Sequence, residues 1–244
     1  MTAPAALYLI PVTLAEGTIP EAILAPMVID RVRGIRDFVA ENARTARRFL
    51  AACGHPDPIA TLGIAILDEH TQESAVSALL APLREGRPLG LMSEAGAPAV
   101  ADPGALLVAA AHAENLRVVP LPGPSSILLA LMASGLEGQR FRFAGYLPVA
   151  TLDRAAAIRE LESRSAAAQE TQVFIETPYR NDALLAELLK TCRPDTRLAV
   201  AVDLTADTEE IRSASIAQWR HAHAPPGKRP AIFLLLARAP VRKR

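Results

Sequence analysis

The most constraining feature of the sequence is residues 90–123, which pass twice from a strand-like apolar run, through a turn of small residues, into a helix-like run. The first turn follows the apolar run 89–92 and contains Gly96, and the second follows the run 118–119 and contains Gly123. Ligands of open α/β sheets bind at the carboxyl ends of the strands. Small residues there let backbone N–H groups approach a ligand closely. The stretch therefore predicts a ligand site at one edge of a parallel sheet.

The first half of the chain repeats the same strand-then-helix pattern. Apolar runs typical of buried strands stand at 6–10, 35–40, 59–67, 89–92 and 118–119. Helical spacing follows them from about residue 18, at 43–53 and 71–84, between the turn at 102–104 and residues 114–115, and at 125–134, with Pro26 expected to kink or split the first of these helices. Aromatic residues make up only 4% of the chain, so the core must consist mainly of aliphatic side chains. That composition suits helices packed on a parallel sheet, and the repeat predicts an α/β fold with right-handed crossovers.

The second half has a different pattern. Residues 141–146 alternate as half-buried strands do, and further strands are predicted at 171–176, 198–204, 211–216 and 230–238. The predicted helices lie at 153–168 and 179–192. Polar residues around Gly138 separate the two patterns, so we predict an N-terminal α/β domain over 1–138 and a C-terminal α/β domain with a mixed sheet over 139–244.

Charge and cysteine usage narrow the class of protein. The formal net charge is zero and the isoelectric point is about 7.0, which argues against a dedicated nucleic-acid surface but leaves room for a local basic patch. Cys53 and Cys192 lack metal-site spacing, and the five histidines form no ligand pattern, so no metal is expected. The N-terminus lacks a basic segment before its short apolar run, which predicts a soluble, cytoplasmic protein with no membrane partner.

Seven motifs stand in order along the chain: Leu-Tyr-Leu-Ile-Pro at 7–11, Ser-Glu-Ala-Gly-Ala-Pro at 93–98, Ala-Asp-Pro-Gly at 101–104, Leu-Pro-Gly-Pro-Ser at 121–125, Ser-Gly-Leu at 134–136, Gly-Tyr-Leu-Pro at 145–148 and Glu-Thr-Pro-Tyr-Arg at 176–180. This ordered set resembles the tetrapyrrole methylase superfamily, within which the nearest branch is that of the bacterial small-subunit ribosomal RNA (rRNA) cytidine ribose 2′-O-methyltransferases. Together they cover nearly the whole chain.

The resemblance implies a two-domain methyltransferase that uses S-adenosyl-L-methionine (SAM), with the cofactor folded in a cleft between the domains and the chain paired as a homodimer. Carried over by position, the implied SAM-binding residues are Pro11, Ser93, Glu94, Ala95, Gly96, Pro124, Ser125, Ser126 and Thr177. Ser93 and Ser125 have a second interpretation, in which they cap the helices that follow them. Asp102 is interpreted chiefly as such a cap.

Two residues of the second domain are candidates for catalysis. Methyl transfer is an in-line displacement in which the protein chiefly orients the reactants, although a ribose hydroxyl also needs a group to accept its proton. Glu176, at the end of a predicted strand, is a candidate for that base, and Arg180 is a candidate to hold a phosphate or carboxylate of the substrate. The alternative is that Glu176 pairs with Arg180, four residues on, which would lower its pKa and make it a poor base.

The acceptor remains open at this stage. An RNA ribose 2′-hydroxyl, with rRNA as the candidate RNA, is the first hypothesis, and methylation of a tetrapyrrole or another small molecule is the second. A third hypothesis is a catalytically inactive SAM-binding or interaction protein. It is motivated by Glu94, where the rRNA branch has Asp, and by the first loop, 12–17, where that branch has Pro-Ile-Gly-Asn.

Overall fold

The computed structural model describes residues 4–68, 70–221 and 225–238. The chain forms two compact units, residues 1–125 and 126–244, and each has a sheet of its own. The α/β class predicted from the sequence is confirmed, with a parallel sheet in the first unit and a mixed sheet in the second. No helix within the described ranges combines the length and apolar character that a membrane crossing requires.

The sheet of the first unit is built from five parallel strands within the described residues, and its spatial order is β3-β2-β4-β1-β5. The strands are β1 (Leu7–Ile10), β2 (Asp37–Ala40), β3 (Gly63–Ile66), β4 (Leu89–Met92) and β5 (Val118–Pro120). Strand β4 is buried along its whole length between β1 and β2. A strand that is covered on both faces consists of consecutive apolar residues, which is why β4 could be predicted from the sequence.

Helices cover both faces of this sheet. They are α1 (Pro20–Ile23), α2 (Pro26–Arg33), α3 (Ala43–Ala52), α4 (Glu73–Val76), α5 (Ala81–Arg84) and α6 (Gly104–Ala113). Buried side chains of α2 and α3 form one cluster with Tyr8, Ile10 and Phe38, whereas those of α4, α5 and α6 form a second cluster with Leu7 and Leu89. Alternate residues of β1 thus point into the two clusters, as the two-residue period of a strand requires.

Proline and capping residues set the helix bounds. Pro26 separates α1 from α2, as its missing N–H predicts. Asn42 begins α3 because its Oδ1 accepts the N–H groups of Arg44 and Thr45 at 2.9 and 3.4 Å. The single helix predicted over 71–84 is wrong: a 3₁₀ turn, Ser77–Leu80, separates α4 from α5, and Pro82 lies in the first turn of α5.

The second unit contains a mixed sheet of order β6-β7-β10-β8-β9 within its described residues. Its elements are α7 (Ser126–Ser134), β6 (Phe141–Tyr146), α8 (Thr151–Ala168), β7 (Thr171–Ile175), α9 (Asn181–Thr191), β8 (Arg197–Val202), β9 (Glu210–Ser215), α10 (Ile216–His221) and β10 (Ala231–Leu236). Strands β6 and β7 are parallel, while β10 runs antiparallel to both β7 and β8. Side chains of α8, α9 and α10 bury one face of this sheet around the stacked rings of Phe174 and Phe233.

Helix α7 belongs to the second unit because it packs against β8, β9 and β10. The units therefore divide between Ser125 and Ser126, before this helix, whereas the boundary predicted after residue 138 lies beyond its end. The sequence pattern changes where the strands change from buried to half-buried, and that change comes one helix later than the change in packing.

Candidate functional site

The connections that leave β1 and β4 diverge at the carboxyl edge of the first sheet. These strands are hydrogen-bonded neighbours, yet the chain after β1 enters helices on one face and the chain after β4 enters α6 on the other. Such a divergence opens a crevice beyond the strand ends, which is where open α/β sheets bind ligands. The edge that the sequence predicted is thus the topological switch point of the first unit.

Three loops meet closely at this edge. The N–H of Val12, after β1, donates to the carbonyl oxygen of Gly96, after β4, at 2.9 Å. Gly96 has a φ of +73°, and a Cβ there would lie 3.0 Å from Leu14 and 3.4 Å from the carbonyl oxygen of Pro124. Gly96 therefore stands where the loops after β1, β4 and β5 converge, with a backbone conformation that favours glycine.

A second close approach joins the loops after β1 and β5. A Cβ on Gly123 would lie 2.2 and 2.4 Å from two ring carbons of Pro11. Pro11 is buried, and its ring cannot rotate away as a flexible side chain would. The predicted ligand residues Pro11, Gly96 and Pro124 are therefore brought together, and glycine is what permits this packing.

A cavity of about 720 Å³ opens beside these loops, on the face that carries α3. The loop after β1 (residues 12–20), one side of α3 and the end of β4 at Ser93 and Glu94 line it. Its volume lies within the range typical of small-molecule and cofactor sites. Of the predicted ligand residues, Ser93 and Glu94 line this cavity, and Pro11, Ala95, Gly96, Pro124 and Ser125 lie in the turns that follow β1, β4 and β5.

The contribution of α3 was not predicted from the sequence. Arg48 of α3 pairs with Glu16 of the first loop at 2.7 Å, and both residues line the cavity. One feature could have predicted this contribution: α3 follows β2, which is the neighbour of β4 in the sheet, so α3 lies beside the same crevice.

Carboxylates concentrate negative charge at this edge. Glu41, after β2, accepts the N–H of Glu94 at 3.3 Å. Burial raises the pKa of Glu41, and the nearby charge of Asp102 raises it further. Burial likewise raises the pKa of Asp102, although the N–H groups of Gly104 and Ala99 that it accepts act in the opposite direction. The edge is therefore suited to a cationic ligand rather than an anionic one.

The polar residues Ser93, Asp102 and Ser125 were interpreted as helix caps or as ligand residues, and their contacts show which of them caps a helix. Asp102 accepts the N–H of Gly104, the first residue of α6, at 2.7 Å, so the capping interpretation describes its contacts. Ser93 does not cap a helix, because its hydroxyl donates within its own turn to the carbonyl oxygens of Ala95 and Gly96, each at 3.3 Å. Ser125 directly precedes α7.

Glu176 and Arg180 form an ion pair in the second unit. Arg180 donates to Oε1 of Glu176 from Nε at 2.9 Å and from a terminal nitrogen at 2.6 Å, and Thr177 N–H donates to the same oxygen at 2.7 Å. Burial raises the pKa of Glu176, but the hydrogen bonds and charge of Arg180 outweigh burial and hold the pKa below its ordinary value. Oε2 of Glu176 is buried and has no hydrogen-bond partner among the described residues. Thr177 begins the turn that carries Arg180, and Ser126 begins α7.

The described residues contain no group of three or more His, Cys, Asp or Glu side chains placed to hold a metal ion. Both cysteines are buried, and burial raises the pKa of each thiol to about 12. Neither thiol is suited to nucleophilic chemistry at neutral pH.

Comparison with known protein families identifies the family of this chain. The family model described as "Tetrapyrrole (Corrin/Porphyrin) Methylases" matches residues 25–219. The chain belongs to this family. The predicted resemblance is therefore confirmed, and the protein is assigned to a class of methyltransferases that in general use SAM as the methyl donor.

Two curated relatives of this tetrapyrrole methylase family member have the same name, Ribosomal RNA small subunit methyltransferase I. The protein of Xylella fastidiosa is 34% identical over 195 residues, which cover 80% of this chain and 68% of the relative. That of Mesorhizobium japonicum is 38% identical over 148 residues, which cover 61% of this chain and 49% of the relative. The chain thus matches about half the length of the second relative.

A solved structure confirms the fold. The crystal structure of the methyltransferase CobJ superposes with a TM-score of 0.62 over 98% of this chain and 97% of that chain, at 18% sequence identity. At that identity the similarity establishes a tetrapyrrole methylase fold and carries no information about the substrate.

Proposed function

We propose that this methyltransferase transfers the methyl group of SAM to a ribose 2′-hydroxyl of RNA, and that its acceptor is small-subunit rRNA. The observation that carries the choice of acceptor is the identity with relatives named as small-subunit rRNA methyltransferases, 34% over 80% of this chain. A tetrapyrrole acceptor has only the fold of CobJ in its favour.

The first unit supplies the proposed SAM site. Ser93, Glu94, Ala95 and Gly96 offer short side chains, a carboxylate and close backbone at the end of β4, next to a cavity large enough for a cofactor. SAM carries a sulfonium cation, and the carboxylates of Glu41, Glu94 and Asp102 give this edge the complementary charge. Pro11, Pro124 and Ser125 hold the neighbouring loops in place. Roles for Ser126 and Thr177 in SAM binding rest on the family resemblance.

The chemistry requires little of the protein beyond orientation. The ribose oxygen attacks the methyl carbon, the carbon–sulfur bond breaks, S-adenosylhomocysteine leaves, and the hydroxyl proton passes to a base or to water. Glu176 is a weak candidate for that base, because its pKa lies below the ordinary value and one of its oxygens is occupied by Arg180. We propose instead that Glu176 positions Arg180, and that Arg180 contacts the acceptor.

Two further proposals concern the setting of the enzyme. We propose that the active form is a homodimer, as members of the family usually are, and that it acts in the cytoplasm. Light scattering coupled to size-exclusion chromatography measures the first: a mass of about twice the 26.0 kDa of the chain supports the dimer, and a mass of one chain contradicts it.

The proposed reaction is tested by transfer of labelled methyl groups from SAM to purified ribosomal subunits. Label in the RNA of the small subunit, and not in that of the large subunit, is the expected result. Label in neither RNA, from protein that binds SAM, would contradict the proposed acceptor. A chain that is folded but does not bind SAM would instead support the inactive-relative hypothesis.

Ser93→Trp is expected to weaken SAM binding by more than about tenfold, because the indole would fill the cavity that Ser93 lines. Calorimetric titration of SAM measures the affinity. Ser163→Trp is the matched control, because Ser163 is exposed on α8, and its affinity for SAM is expected to equal that of the wild type. Equal affinities for all three proteins would exclude Ser93 from the cofactor site.

A further inference from the structure

Two exposed tyrosines lie at one edge of the second sheet. Tyr146 ends β6 and is 59% exposed, and Tyr179 follows β7 and is 69% exposed. Strands β6 and β7 are parallel neighbours, so both side chains emerge beyond the same, carboxyl, end of the sheet. Large aromatic side chains normally contribute buried area, so two exposed rings at one strand edge indicate a binding surface.

A β-bulge directs Tyr146 to its face of the sheet. Phe143 pairs with Val173 and Tyr146 with Ile175, so β6 contains one more residue than β7 between the two pairs. Gly145, with a φ of +69°, lies within this bulge. Without the extra residue Tyr146 would share the face of Ala144, which packs against the core under α8 and α9. Bulges commonly re-aim a side chain in this way next to functional sites.

Arg180 lies against the ring of Tyr179. Its guanidinium carbon lies 5.3 Å from the centre of the Tyr179 ring. Its hydrogen bonds to Glu176 are the largest influence that raises the pKa of Arg180. The ion pair with Glu176 fixes the arginine, whose side chain remains 24% exposed.

The surroundings add apolar area and a second cation. Val149 and Leu152, in and just after the loop that follows Tyr146, are 61% and 84% exposed. Arg154 is buried beneath this loop and donates to the carbonyl oxygen of Val149 at 3.4 Å, while its Nε has no hydrogen-bond partner within the part of the chain that the structure describes. The surface therefore combines aromatic faces with positive charge.

We propose that Tyr146, Tyr179 and Arg180, called here the tyrosine platform, stack an unpaired nucleobase of the RNA acceptor. The proposal rests on RNA being the substrate class of the enzyme. Proteins recognise unpaired RNA by stacking its bases on aromatic rings and on the planar guanidinium of arginine, and each stacked base contributes substantially to affinity. Both kinds of plane are present here, fixed by the bulge at Gly145 and by the Glu176–Arg180 pair.

The test compares two fluorescein-labelled RNA probes by fluorescence anisotropy: a short oligouridylate and an abasic ribose-phosphate chain of the same length. The two probes carry equal charge and differ only in their bases. Tyr146→Leu and Tyr179→Leu are expected to weaken binding of oligouridylate by about fivefold or more, the loss of one stacked base, and to leave binding of the abasic chain unchanged. Tyr146→Phe and Tyr179→Phe keep the aromatic plane and are expected to bind within about twofold of the wild type.

Phe141→Leu is the matched control, because Phe141 is an exposed aromatic residue at the opposite end of β6. It is expected to bind both probes as the wild type does. Thermal melting confirms that the variants are folded, and SAM titration confirms that the cofactor site is intact.

The outcomes distinguish a failure of the tyrosine platform proposal from a failure of the proposed acceptor. If the leucine variants weaken both probes equally, or neither probe, the platform is not a base-stacking surface, whether or not the wild type methylates small-subunit RNA. If the wild type shows base-dependent binding that the leucine variants lose, yet transfers no methyl group to that RNA, the proposed acceptor is wrong and the platform stands.

Discussion

Gly123→Ala is expected to abolish measurable SAM binding. The added methyl group would lie 2.2 Å from a ring carbon of Pro11, and neither the alanine nor the proline ring can rotate to relieve the collision. The loops after β1 and β5 must therefore move apart, which displaces the turns around Gly96 and the cavity beside them. Overpacking of this kind also lowers the free energy of unfolding, by about 1–3 kcal/mol.

Calorimetric titration with SAM and thermal melting measure the two effects. Gly138→Ala is the matched control, since a Cβ at Gly138 meets no atom within 4 Å and the backbone φ there is not positive. Its affinity and melting temperature are expected to stay close to those of the wild type. Normal SAM affinity in Gly123→Ala would show that the loops after β1 and β5 do not form the cofactor site.

Arg180→Met is expected to lower the free energy of unfolding by about 3 kcal/mol at neutral pH, because it leaves the buried carboxylate of Glu176 without its cation. The pH dependence identifies the cause. In the wild type the lowered pKa of Glu176 means that its contribution is complete above the unfolded value, about 4.3, and is lost as the pH falls through the folded value.

In the variant the pKa of Glu176 is shifted in the opposite direction, because burial without the guanidinium raises it. Lowering the pH protonates the carboxyl and relieves the penalty, so the difference in stability between variant and wild type shrinks towards acid pH. Urea denaturation at several pH values measures this difference. A loss that is the same at pH 7 and at pH 4.5 would contradict the proposed role of the charge.

Arg36→Met provides the comparison for a surface ion pair. Arg36 pairs with Asp57 at 3.2 Å, but its side chain is 65% exposed. Such pairs contribute about 0–1 kcal/mol, so this variant is expected to unfold close to the wild type at every pH.

The strands and helix bounds that could be predicted from the sequence depend on properties of residues close together in the chain. Strands β1, β2 and β4 are mostly buried and therefore appear as apolar runs, and Pro26 splits a helix because proline lacks an N–H group. The strand predicted over 59–67 was too long, since Ile59–Thr61 form a 3₁₀ turn after Pro58 and the strand begins at Gly63. Apolar periodicity alone does not distinguish a short strand from such a turn.

The features of the site that were not predicted depend on contacts between distant parts of the chain. The four-residue spacing of Glu176 and Arg180 is local, and their pairing could be anticipated. Gly123 touches Pro11 only because β5 lies next to β1 in the sheet, and the strand order β3-β2-β4-β1-β5 is not encoded in any single segment. The position of Tyr146 depends on one extra residue in β6, and an alternating pattern cannot reveal such an insertion before the pairing with β7 is known.

The most direct test of the account is the position of the methyl group on the product RNA. Small ribosomal subunits are incubated with the enzyme and with SAM that carries a labelled methyl group, and the RNA is then hydrolysed in alkali. Alkaline cleavage requires a free 2′-hydroxyl, so ribose methylation leaves the label in alkali-resistant dinucleotides, which is the predicted result. Label in mononucleotides would place the methyl group on a base, and unlabelled RNA from an enzyme that binds SAM would contradict the proposed acceptor altogether.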